Sequence, residues 1–197
     1  MAESPSHQFG QVIGDVLEAA LRPALQDFAN KYNLYLDKHG PRPAREGNKV
    51  TWTDKNGNKH DLDFVLERSG TANIIGTPVA FIETAWRRYT KHSRNKAQEI
   101  QGAIMPLVET HGTSPFIGVV LAGEFTQGAI SQLSSLGFAV AYFPYPTVIK
   151  AFSTVGIDAS SDEETPDEEF AARIVKWNAL GLAQKDKVCQ ELRRVSE

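Results

Sequence analysis

Residues 114 to 123, SPFIGVVLAG, form a nearly continuous apolar run. Such a run has no wet face. It suits a strand covered on both sides, as in the middle of a sheet with helices above and below. The next segments narrow the class further. TQGAISQLSSLG reads as a short helix and FAVAYF as another strand. Strand, helix, strand in that order predicts a parallel pair with a right-handed crossover, and therefore an α/β fold.

The N-terminal part reads as follows. FGQVIGDVLEAALRPALQDFANK, residues 9 to 31, carries Val12, Val16, Leu17, Ala20, Leu21 and Leu25 at helical spacing, with Pro23 expected to kink or divide the helix. GPRPAREGN is a loop. KVTWT and KHDLDFVLE are expected to be two strands of a hairpin joined through the Asn-Gly turn of DKNGN, and PVAFIETAW a third strand. Ser93 is the expected cap of a helix whose stripe is Ala97, Ile100, Ile104 and Leu107. The predicted order is α, β, β, β, α, β: a mixed sheet flanked by helices.

An added αβ unit and C-terminal helices complete the chain. PTVIKAF is one short helix. Residues 157 to 164, IDASSDEE, read as an acidic linker. Thr165-Pro166-Asp167-Glu168 fits a capping box with Pro at the first helical position. The helix it opens carries Phe170, Ile174, Val175 and Trp177, and a last helix carries Val188, Leu192 and Val195. Two units are expected: a core over 1–157, and an acidic linker with helical extension over 158–197.

A chain of 197 residues with net charge −3 says little about partners by its total. The lone Cys189 excludes an internal disulfide and a cysteine-based zinc site. MAESPSHQFG lacks a basic region followed by an apolar stretch, and no apolar run approaches the length of a membrane span. A soluble, cytoplasmic protein without a membrane partner is expected.

Charge is unevenly placed. In FIETAWRRYTKHSRNKAQEI no carboxylate lies between Glu83 and Glu99, while Arg87, Arg88, Lys91, Arg94 and Lys96 fill the gap. Asp63 is an acid in mid-strand between apolar neighbours. By strand alternation Leu62, Phe64 and Leu66 share one face, and Asp61, Asp63 and Glu67 the other. Glu83 and Ala85 share a face with Val79 and Phe81. If the two strands pair antiparallel, Asp63 and Glu83 converge. Two carboxylates that close repel unless a cation joins them, and oxygen ligands suit Mg²⁺ or Mn²⁺, with the Thr84 carbonyl as a further ligand. The acids would then hold the metal, and the bases the phosphates of a polyanion.

Asp63 in DLDFVLE, Glu83 in VAFIE and the order of elements resemble the PD-(D/E)xK nuclease superfamily, which includes many type II restriction endonucleases. The resemblance spans roughly residues 9 to 145. It implies a restriction-endonuclease-like core, a Mg²⁺-dependent endonuclease acting on double-stranded DNA, and a homodimer for a restriction-type enzyme. Glu18 in GDVLEAAL stands where family members carry a further glutamate on the first helix. The family lysine falls at Ala85, which can neither orient a water nor stabilise charge. Three readings fit. The chain carries a lysine-to-alanine change at 85; the lysine's role has moved to Lys96 on the next helix; or the fold is an inactive one kept for binding DNA. A repair or recombination nuclease is the alternative to a restriction enzyme. Phe170, Ile174 and Trp177 are candidates for the dimer contact or for packing on the core.

Overall fold

The computed structural model describes residues 4–112 and 115–194. Helix α1, Pro5–Tyr32, opens with Ser4, whose hydroxyl accepts from the His7 N–H, and has Pro5 in its first turn. Pro23 does not divide it. The proline lies on the exposed side, where the backbone groups it leaves unbonded can be hydrated. Asn33 ends the helix in the left-handed conformation, φ 53°.

A five-stranded mixed sheet follows. Its strands are β1 (Leu34–Lys38), β4 (Phe64–Arg68), β5 (Thr77–Arg87), β6 (Phe116–Gly123) and β7 (Ala139–Pro144), in the order β1-β4-β5-β6-β7. The pairs β1/β4 and β4/β5 are antiparallel, while β5/β6 and β6/β7 are parallel. The apolar run of β6 is inside the sheet, and α3 (Gln127–Ser135) joins it to β7. The chain is thus α/β, with a mixed sheet flanked by helices.

Two strand assignments need correction. The first strand of the main sheet is β1, in a segment where no strand was expected. The hairpin is β2 (Val50–Thr53) with β3 (Lys59–Leu62), a separate two-stranded sheet. KHDLDFVLE is not one strand either: it breaks at Asp63 between β3 and β4. The break resets the alternation. Leu62 packs with Val65, Trp52 and Phe81, while Phe64 and Leu66 pack with Leu36 and Ile82.

One face of the sheet carries α2 (Ser93–His111) and α3. Phe81, Ala85, Val119 and Leu121 meet Ala97, Ile100, Ile104, Leu107 and Leu133 there. The other face carries α1 with α4 (Tyr145–Ser153), α5 (Asp167–Ala179) and α6 (Leu182–Arg194), through Phe9, Ile13, Leu17, Phe152, Phe170 and Leu192. Phe170 and Trp177 therefore pack on the body of the protein. Val195 lies outside the described residues.

Both predicted caps are absent. Ser93 is already inside α2, after a single 3-10 turn at Thr90–His92. It is fully buried, and its hydroxyl donates to the Thr90 carbonyl and accepts from the Thr126 N–H. It ties α2 to the start of α3 instead of capping. The residue at the start of α5 is Pro166, with no side-chain cap; the Thr165 hydroxyl bonds Asp162 instead.

Candidate metal centre and its basic cleft

The site forms where β4 begins. The register pairs Phe64 with Ile82, so the preceding Asp63 stands beside Glu83. The bend frees Asp63 from the ladder, and Thr84 then fixes its carboxylate. Oδ2 accepts from the Thr84 backbone N–H at 2.7 Å and from the Thr84 hydroxyl at 2.8 Å. Thr84, expected to offer its carbonyl to a metal, meets Asp63 through these two donors.

Glu83 is 8% exposed, and its Oε1 is buried with no hydrogen-bond partner. Its carboxyl is pushed up to about 8, first by burial and then by the Asp63 charge, with a smaller push from Glu18; the Lys96 charge and a backbone hydrogen bond from Asp63 oppose this. Glu18, half-buried on α1, is raised to about 7 by burial, then by Asp63 and Asp15, against Arg22. Burial raises Asp15 as well, with His39 opposing. Three acids from α1, the β3–β4 bend and β5 thus feel one another, and among the described residues none of the three is in a salt bridge.

Glu18 and Asp63 share a hollow of about 280 Å³ with Asp15, His39, Lys49 and Asp61. Asp61 is occupied elsewhere. It is held below its usual range by Lys49 at 2.7 Å, then by the Thr51 hydroxyl at 2.6 Å.

Asp63 and Glu83 offer hard oxygen donors of the kind a divalent cation takes. An orphaned buried carboxylate oxygen beside like charge is what such an ion relieves. Among the described residues, no three His, Cys, Asp or Glu side chains are gathered to hold an ion by themselves. Asp63 and Glu83 would supply two positions, leaving the rest to carbonyl oxygen and water, as Mg²⁺ commonly accepts.

On the other side of Thr84 opens a cleft of about 740 Å³. It runs between the start of α1, the end of β5, the start of α2 and the segment before α5. Gly123, at φ 93°, packs against Trp86 and Arg87, two residues that line it. A side chain there would fall on the Arg87 carbonyl and the Trp86 ring, so β6 can end tightly against β5 only with glycine. The five predicted cations are placed differently from one another. Arg87 lines the cleft and donates to the Trp86 carbonyl at 2.9 Å. Arg88 also lines it, but donates to the Ser6 carbonyl at 3.1 Å and stacks 4.4 Å from the Phe170 ring, so it also holds α1 to α5. Lys91 is exposed and paired with Glu163 at 2.7 Å. Arg94 is exposed on the first turn of α2. Lys96 is partly buried, lines the cleft, pairs with Glu99 at 3.4 Å, and is the cation whose charge reaches Glu83. Ala85 is 4% exposed and packs in the apolar cluster with Phe81, Ala97 and Leu121.

The acidic segment forms part of the cleft wall through Asp162, Glu163, Thr165 and Asp167. Sequence spacing gives no signal for that, because the contact joins residues more than 70 positions apart. Among the described residues, no helix is long and apolar enough to cross a membrane.

No protein-family model matches the chain, nor does any curated protein. Among solved structures, a protein of unknown function described as AF1548 aligns over 91% of this chain and 97% of its own, at 12% identity and a TM-score of 0.41. A likeness at that level carries no weight for function.

Proposed function

We propose that this chain is a divalent-metal-dependent endonuclease with a restriction-endonuclease-like core, acting on DNA. The observation that carries the reading is Glu83: a buried acid with an orphaned oxygen, next to Asp63, one residue along β5 from Thr84, which lines a cleft that also holds Arg87, Arg88 and Lys96. Asp63 and Glu83 would hold Mg²⁺ or Mn²⁺, with Glu18 adding negative charge from α1. When bound, the ion supplies a water of lowered pKa and a polarised phosphoryl oxygen.

The chain's own residues do the remaining work. Thr84 keeps Asp63 in one orientation through two donors. Arg87 and Lys96 offer charge to the phosphates along the cleft. Ala85 offers none. Of the three readings for that position, the one with Lys96 in the lysine's role has the most support, because Lys96 acts electrostatically on Glu83 while Ala85 is enclosed by apolar neighbours. Lys96 would orient the attacking water.

A restriction-type enzyme brings three corollaries: a double-stranded DNA substrate, a homodimer matched to a two-fold site, and cytoplasmic residence. The buried faces of α5 and α6 already cover α1 and α4, so a dimer would form elsewhere. Ala85 favours one competing reading, a DNA-binding protein without chemistry.

Plasmid cleavage with Mg²⁺ separates these. The expected result is cleavage by the parent, lost by at least about 100-fold in Lys96→Ala and in Glu83→Gln. Cleavage only after Ala85→Lys would show instead that position 85 lacks its lysine. DNA binding without cleavage by any variant would establish the binding-protein reading.

A further inference from the structure

We infer that the acidic segment 158–166 is an intramolecular competitor for the polyanion, a strap that covers part of the cation wall until nucleic acid displaces it; the inference rests on the reading above for the nature of that polyanion. The strap is anchored at both ends. Ile157 and Ala159 are buried, and the Tyr145 hydroxyl donates to the Ala159 carbonyl at 2.8 Å. Phe170, buried at the start of α5, fixes the other end under the Arg88 guanidinium.

Between the anchors the strap is shaped by its own side chains. Asp158 accepts from the Ser160 N–H and hydroxyl, and Asp162 accepts from the Glu164 N–H and the Thr165 hydroxyl. This shape delivers its two contacts to the basic segment. Glu163 meets Lys91 at 2.7 Å, and the Asp162 carbonyl accepts from the Tyr89 hydroxyl at 2.9 Å. Asp162 and Glu163 line both the cleft and an outer hollow of about 440 Å³ that holds Arg88, Tyr89 and Lys91.

The strength of the contact suits exchange. The Lys91 side chain is 59% exposed and that of Glu163 68%, so water and salt screen the pair. A carboxylate on Lys91 stands where a phosphate oxygen would. A nucleic-acid strand brings several phosphates to Arg87, Lys91 and Lys96 together and releases their counterions, which one carboxylate cannot match. The strap therefore discriminates against short or weakly charged anions and yields to a polyanion.

Fluorescence anisotropy with a fluorescein-labelled 20-base-pair duplex, in EDTA and low salt, tests this without any cleavage. Glu163→Gln should tighten binding about two- to five-fold, and the gain should shrink as salt is raised. Glu164→Gln removes the same charge one residue along and should do clearly less. In a Lys91→Gln background Glu163→Gln should have no effect. Unchanged affinity in Glu163→Gln, equal tightening by Glu164→Gln, an undiminished effect without Lys91, or no duplex binding by any variant would each overturn the strap. A strap effect that persists in a chain that neither binds Mg²⁺ nor cleaves DNA would uphold the strap and reject the nuclease.

Discussion

Two buried glutamates lie at opposite ends of the β4/β5 pair, and their surroundings could hardly differ more. Glu67, fully buried, receives Arg42 on both oxygens and the Gly76 N–H on Oε2 at 2.6 Å. Arg42 also meets Asp37 at 2.8 Å and the Thr71 and Ile74 carbonyls, and Arg45 closes on Asp37. This charge cluster is satisfied, and it fixes the β1 edge and the loop between β4 and β5. Glu83 has Asp63 beside it, Glu18 nearby, and an oxygen without a partner. A buried acid kept for structure is given arginines. One left among like charges costs the fold stability, and a bound cation would offset that cost.

The largest expected difference between the two ends is in pH dependence. An unfolded glutamate titrates near 4.5, whereas folded Glu83 is raised to about 8. The stability that comes with its neutral form is complete below 4.5 and is lost as pH rises through 8. In EDTA the protein should lose roughly 4 to 5 kcal/mol over that window, at about 1.36 kcal/mol per pKa unit. Glu18, raised in the same direction, adds to the loss. Urea unfolding from pH 4.5 to 9 measures it. Glu83→Gln should flatten the profile, and saturating Mg²⁺ should oppose the decline.

Next comes the response to removing a partner. Arg42→Met strands Glu67 without its cation, while Asp37 keeps Arg45, and should cost about 3–5 kcal/mol in urea unfolding. Glu83→Gln, measured in EDTA at pH 9, should be as stable as the parent or more so. Equal losses in both variants would erase the distinction between a structural and a functional acid.

A smaller effect is expected at Thr84. Thr84→Val keeps the shape and the backbone donor but removes the hydroxyl that orients Asp63. Mg²⁺ affinity should fall about 10-fold or more, the usual cost of losing an outer-shell hydrogen bond, with little change in metal-free stability. Calorimetric titration reads the first, and the urea midpoint the second.

This contrast also explains what the sequence made legible. The apolar runs of β5 and β6, the α2 stripe and the β6–α3–β7 unit were readable because their patterns serve burial alone. β1 was not. Its LYLDK carries Asp37, which looks solvent-facing until Arg42 and Arg45 neutralise it from the next loop. The split at Asp63 was hidden for a related reason: apolar–polar alternation continues through a bend that only the Thr84 contacts reveal. Asp63 and Glu83 were found as candidates because acids inside apolar strands stand out. The Thr84 donors and the Lys91–Glu163 contact join elements with no common periodicity, so no pattern along the chain marks them.

The most direct test of the central claim is a calorimetric titration of Mg²⁺ into the metal-free protein at neutral pH, with Glu83→Gln and Asp63→Asn alongside. Saturable binding by the parent, lost in both variants, is the expected result. No binding by the parent, or binding undiminished without Glu83, would contradict it.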